Sequence, residues 1–116
     1  MKVLLVDDEQ KFATMLAKRL ALRGIDIEYV YTGEDAIVKV EAERYDVAIL
    51  DVKMPGIGGI ELVQKLKELD PGIKVIFLTG HGSKADFETG SLKSTHYLAK
   101  PIKIDELIMI LHEVAG

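Results

Sequence analysis

The run Val47-Ala48-Ile49-Leu50 is apolar throughout, ends on a single carboxylate at Asp51, and breaks at once into a turn at Met54-Pro55-Gly56. A short continuous apolar run bounded by turn residues reads as a strand buried on both faces, the kind found inside a parallel sheet. Such a strand needs helices on both sides, and helical crossovers to bring the chain back in the same direction. An acidic residue at its C-terminal lip lies where open α/β sheets bind ligands. Alone, Asp51 reads better as the cap of a turn. Three other stretches that end the same way tip the balance.

The rest of the chain alternates in the manner this strand demands. Lys2 to Val6 is a β-rich apolar run that stops on Asp7 and Asp8. Phe12, Ala13, Leu16, Leu20 and Ala21 then repeat at helical spacing, with Arg23-Gly24 as the stop. Ile25, Ile27 and Tyr29 alternate with polar residues, which predicts an edge strand with one less-covered face. A second helix opens at Thr32-Gly33-Glu34 and buries Ala36, Ile37 and Val40. After the central strand, expected over Tyr45 to Leu50, Gly58-Gly59 precedes a third helix with Ile60, Leu62, Val63, Leu66 and Leu69 on one side.

Asp70-Pro71-Gly72 is a turn, and Ile73 to Leu78 is a fourth apolar strand ending at Thr79. A weak fourth helix is expected near 84–92, where Gly90 costs about 1 kcal/mol relative to Ala. His96 to Ala99 is a short strand ending on Lys100-Pro101, and Ile104, Leu107, Ile108, Leu111 and Val114 line a last helix. The expectation is a single α/β domain over 1–116, with five parallel strands and five helices on both faces.

Bulk properties narrow the function. The 116 residues suffice for a core without staples. With no cysteine, disulfides and thiolate metal sites are excluded, which fits a cytoplasmic protein. A net charge of −4 with no cluster of Lys and Arg argues against direct nucleic-acid binding. No apolar run approaches the roughly 18 residues of a membrane span.

In a parallel sheet every strand points its C-terminus at the same edge, so Asp7, Asp8, Asp51, Thr79 and Lys100 should share one rim. Three carboxylates crowded together repel, and a hard divalent cation with oxygen ligands resolves that repulsion. Mg²⁺ fits best, with Asp8 as direct ligand and Asp7 on a metal-bound water. Carboxylate, Mg²⁺, ammonium and hydroxyl are the parts needed for phosphoryl transfer, with Asp51 as nucleophile. Each member has a plainer reading: an acidic first helical turn for Asp7-Asp8-Glu9, an N-cap for Thr79, a solvated lysine for Lys100. Their coincidence at one edge favours the site.

The stretches Val6-Asp7-Asp8-Glu9, Leu50-Asp51-Val52-Lys53-Met54-Pro55-Gly56, Leu78-Thr79-Gly80-His81-Gly82-Ser83 and Tyr97-Leu98-Ala99-Lys100-Pro101 resemble the receiver domain of bacterial two-component response regulators. The resemblance runs from Lys2 to about Val114. It implies a flavodoxin-like three-layer sandwich with sheet order 2-1-3-4-5 and a cis Lys100-Pro101 bond. It also implies phosphorylation of Asp51 by a sensor histidine kinase or phosphotransfer protein. Mg²⁺, with Mn²⁺ able to substitute, would be held by Asp8, Asp51 and the backbone carbonyl of Lys53, and Asp7 would assist. Lys100 would contact the phosphoryl group, Thr79 would hydrogen-bond it, and Tyr97 would be the aromatic switch. Catalysis would then be confined to the domain's own phosphorylation and dephosphorylation.

The expected partners are a kinase reading the first helix (Lys11, Thr14, Met15, Lys18), an output protein or effector domain, and a second copy. Output and second copy would meet the face of the fourth helix, fifth strand and last helix, where Met109 and Ile110 lie off the inner side. The Thr79 to Ser83 stretch most resembles receivers that control enhancer-dependent transcription activators. The chain reads as a stand-alone receiver or as part of a longer regulator. Two departures stand out: Gly58-Gly59 at the start of the third helix, and Lys93-Ser94 where the family places Gly-Ala. The second predicts a short or shifted fourth helix, with Gly90 as its stop. Rival readings are a phosphatase, disfavoured by Lys53 and the lack of a cap domain, and a phosphorylation-independent interaction module.

Overall fold

The computed structural model describes residues 1–52, 57, 59–79 and 96–115, and of Ile60 and Thr79 the backbone only. In chain order the elements are β1 (Lys2–Val6), α1 (Gln10–Leu22), β2 (Asp26–Val30), α2 (Gly33–Ala42), β3 (Val47–Asp51), α3 (Gly59–Leu69), β4 (Lys74–Thr79), β5 (His96–Ala99) and the last helix, α4 (Ile104–Ala115). The expected helix near 84–92, with its Gly90 to Ser94 departures, lies outside the described residues. So do the Lys53 carbonyl and the Met54-Pro55-Gly56 turn.

The five strands form one parallel sheet in the order β2-β1-β3-β4-β5, with the less-covered β2 at an edge as its alternation predicts. Every residue of β3 is buried. The two faces separate by strand parity, since successive side chains point to opposite sides. Leu4, Val6, Ala48, Leu50 and Phe77 pack with α2 and α3. Val3, Leu5, Ile49, Ile76 and Leu78 pack with α1 and α4. At roughly 1.5–3 kcal/mol for each fully buried aliphatic or aromatic side chain, these two layers dominate the stability of the fold.

Local chemistry sets the helix ends. Thr32 caps α2, its Oγ1 accepting from the Asp35 N–H at 3.1 Å. Gly24, at φ 82°, closes α1 where a side chain would be strained. Asp70 builds the turn into β4 by accepting the Gly72 N–H at 3.1 Å. Two expectations shift. Ala17 rather than Ala21 is buried on α1, and Ile110 is partly buried against the second core, leaving Met109 as the exposed apolar residue.

At the opposite end from the strand C-termini, charged groups from distant positions tie β1, β2 and α2 together. Glu28 takes Lys39 Nζ at 3.1 Å and the Tyr45 hydroxyl at 2.9 Å, and Lys2 pairs with both Glu43 and Glu28. The Lys39 and Tyr45 hydrogen bonds hold the Glu28 carboxyl below its ordinary value. Burial and the Glu28 hydrogen bond push the Tyr45 phenol well above its own. A raised folded-state value favours the protonated phenol in the fold. Its contribution is therefore complete below the unfolded value of about 10 and lost as pH rises through the folded one. Tyr45→Phe should cost about 1 kcal/mol at neutral pH and remove part of the alkaline loss of stability. Urea unfolding of both proteins between neutral pH and about pH 11 measures this.

Candidate functional site

Sheet register assembles the candidate site. Val6 pairs with Leu50 and Asp51 with Leu78, so Asp7 and Asp51 leave adjacent strands at the same level. Thr79 pairs with Ala99, which places Lys100 one residue beyond it. Asp7 donates its N–H to the Val30 carbonyl at 3.2 Å, and Val52 donates to that of Leu78 at 3.0 Å. These bonds extend the sheet one residue past two of the strand ends.

The carboxylates of Asp7, Asp8 and Asp51 each bring an oxygen within 4.8 Å of the others. Asp7 is fully buried and Asp51 nearly so, while Asp8 is exposed. Asp7 Oδ1 accepts the Glu9 N–H at 2.9 Å, and this short turn carries the chain into α1. Asp7 Oδ2 lies 3.0 Å from Lys100 Nζ, but out of line for a hydrogen bond, and is a buried oxygen with no directed donor among the described residues. An all-oxygen cluster holding such an atom is the donor set a hard divalent cation takes.

Among the described residues, Lys100 is the counter-charge. Its Nζ lies 2.6 Å from Glu9 Oε1, 3.0 Å from Asp7 and 3.5 Å from Asp51 Oδ2, and 4.5 Å from the centre of the Phe12 ring. Burial by itself would lower its pKa, but the hydrogen bond to Glu9 and the nearby charges of Asp51 and Asp7 outweigh burial and raise it. The Lys100-Pro101 bond is cis, as the family pattern implies.

Tyr97 is half-buried on β5, its ring stacked on that of the buried Phe77 with centroids 5.7 Å apart. The backbone of Thr79 ends β4 beside Ala99, and its side chain is outside the description. Asp7, Asp8, Asp51 and Lys100 therefore meet. Glu9 and Phe12 join them without having been assigned a part. The sequence signal for Glu9 is its place immediately after two acids at a strand end, one residue ahead of α1.

The sequence matches the response regulator receiver domain family over residues 3–112, and the chain belongs to that family. Among curated relatives, the transcriptional regulatory protein TrcR of Mycobacterium tuberculosis is 33% identical over 92% of this chain and 42% of its own length. The transcriptional regulatory protein TctD of Salmonella typhimurium is 34% identical over 92% of this chain and 48% of its own. The chain thus spans just under half of these relatives. Among solved structures, the Francisella response regulator 1452 receiver domain superposes with a TM-score of 0.86 at 31% identity, covering 98% of this chain and 95% of that one. The response regulator TrrA of Thermotoga maritima, solved with Mg²⁺-BeF, gives 0.84 at 31% identity and 97% of both chains. The fold is accordingly the flavodoxin-like one of receivers. Among the described residues, no helix is long and apolar enough to cross a membrane.

Proposed function

We propose that this receiver domain, taken as residues 1–116, is a cytoplasmic phosphorylation switch whose acceptor is Asp51. The observation that supports this most is the cluster of three carboxylate oxygens within 4.8 Å against one ammonium, on adjacent strand ends. Asp8 and Asp51 would hold Mg²⁺, with Asp7 acting through a water and the family pattern adding the Lys53 carbonyl. Mn²⁺ would substitute. The cation, when bound, offsets charge on the transferring phosphoryl oxygens.

The chain's own residues do the rest. An Asp51 oxygen attacks phosphorus in line; the O–P bond forms as the donor's N–P bond breaks, and the electron pair stays on the histidine nitrogen, whose ring, protonated on its other nitrogen, leaves as neutral imidazole. Lys100, already 3.5 Å from Asp51, donates to the equatorial oxygens. The phosphoryl group adds about one to two negative charges and draws the Thr79 hydroxyl toward it. Tyr97, stacked over Phe77, reports that movement to the output face.

The donor is a histidine kinase or phosphotransfer protein. Lys11, Thr14, Met15 and Lys18 are all exposed on α1, and a groove of about 490 Å³ opens beside them between Phe12, Met15 and Ile104. Output passes to an effector domain or separate partner, or to a second copy, through the side bearing β5 and α4, where Met109 is 70% exposed. Transcriptional control fits the regulators named above.

The test is acetyl phosphate with and without Mg²⁺. A single hydroxylamine-labile phosphoryl group, mapping to Asp51 and dependent on the cation, is expected. A label elsewhere, or none, would refute the reading and favour a phosphorylation-independent module.

A further inference from the structure

Glu9 stands at the N-cap of α1, yet its side chain makes no capping hydrogen bond. Its backbone is held from both directions: the N–H by Asp7 Oδ1 at 2.9 Å, and the carbonyl by the Ala13 N–H at 2.9 Å. The carboxylate is therefore aimed by a fixed backbone, and it reaches Lys100 Nζ at 2.6 Å. That contact is the shortest of the three the ammonium makes, and Asp51 at 3.5 Å is the longest. The Phe12 ring, 4.5 Å away, holds the cation on the same side.

We infer that Glu9 is a positioning residue that draws the Lys100 ammonium toward α1 and away from Asp51 until a phosphoryl group competes for it. This rests on the reading of Asp51 and Mg²⁺ given above. In the resting state the tether limits how far one cation already occupies the carboxylates that a divalent cation must bind. In the phosphorylated state Lys100 has to give up Glu9 to reach the new oxygens. Glu9 thus favours metal loading and opposes anion capture, two effects of opposite sign from one side chain.

Glu9→Gln keeps the shape and removes the charge, at a residue exposed enough that folding is not at stake. Calorimetric titration with MgCl₂ should show affinity weakened about threefold. Beryllofluoride at saturating Mg²⁺, followed by ¹⁹F NMR, should bind about threefold tighter. A remote charge control, Glu41→Gln at the far end of α2, should move neither by that much. A field effect of the lost charge would survive without the lysine, whereas a tether would not. In a Lys100→Met background, Glu9→Gln should therefore leave Mg²⁺ affinity almost unchanged. Persistence of the threefold shift there, or shifts of the same sign for both probes, would overturn the inference. Failure of the wild type to bind Mg²⁺ and beryllofluoride would instead overturn the functional reading beneath it.

Discussion

Asp51→Asn is expected to abolish labelling by acetyl phosphate and, in metal-free buffer, to raise the unfolding temperature. The loss is complete because the amide has no anionic oxygen to attack phosphorus. The gain follows from the local charge balance. Asp51 is 5% exposed and, among the described residues, shares a 4.8 Å cluster with two carboxylates and meets the Lys100 ammonium 3.5 Å away. At an effective dielectric of about 20, charges separated by about 4 Å interact by roughly 4 kcal/mol. Among the described residues two repulsions stand against one attraction of similar size, and water on the Asp8 side reduces the net to about 1–2 kcal/mol. A midpoint rise of about 4–8 °C in EDTA corresponds to about 1 kcal/mol. Mg²⁺ should reverse the order, since it binds the native wild type more tightly than the variant. Equal midpoints in EDTA would show that the three acids do not repel one another in the fold.

The way the acids could be found in the sequence explains which features were legible and which were not. Val47 to Leu50 announced a strand because burial on both faces leaves no polar position in it, and β3 is buried throughout. Ile25 to Tyr29 announced an edge because only one face has to be apolar, and β2 is one. Strand ends in a parallel sheet must converge, so Asp7, Asp8, Asp51 and Lys100 could be placed together from their order alone. Side-chain reach has no such signature. Glu9 and Lys100 are joined across 91 positions, and Lys2 and Glu43 across 41. Periodicity reports which face a residue occupies, not which distant charge it meets. The same limit accounts for α1, where the choice between Ala17 and Ala21 depends on where the helix leaves the sheet. Ile110 was assigned by helical angle alone, whereas contact with the second core gives it partial cover.

Lys100→Met should destabilise the metal-free protein by about 2–3 kcal/mol and slow phosphoryl acceptance by about 100-fold or more. The stability loss is large because this ammonium faces Asp7, Glu9 and Asp51 at once, and the Asp7 side chain is fully buried. Removing one partner of a buried charge pair costs about 3–5 kcal/mol, and the open Asp8 side of this pocket places the effect at the lower end. Methionine keeps the stem that packs beside Phe12, so the loss reports charge rather than volume. The pKa of Lys100 is raised in the fold. While its carboxylate partners are ionised, its contribution is thus intact below the unfolded value of about 10.4 and fades as pH climbs through the folded one. The variant should lack that alkaline decline. It should also gain more stability from Mg²⁺ than the wild type does, because the cation meets carboxylates that no ammonium already occupies. The kinetic loss would have a separate origin, in the loss of the donor proposed to move from Glu9 and Asp7 to the phosphoryl oxygens, so Mg²⁺ should restore stability without restoring rate. Recovery of both together by Mg²⁺ alone would mean that Lys100 serves only to balance the acids and takes no part in the transfer.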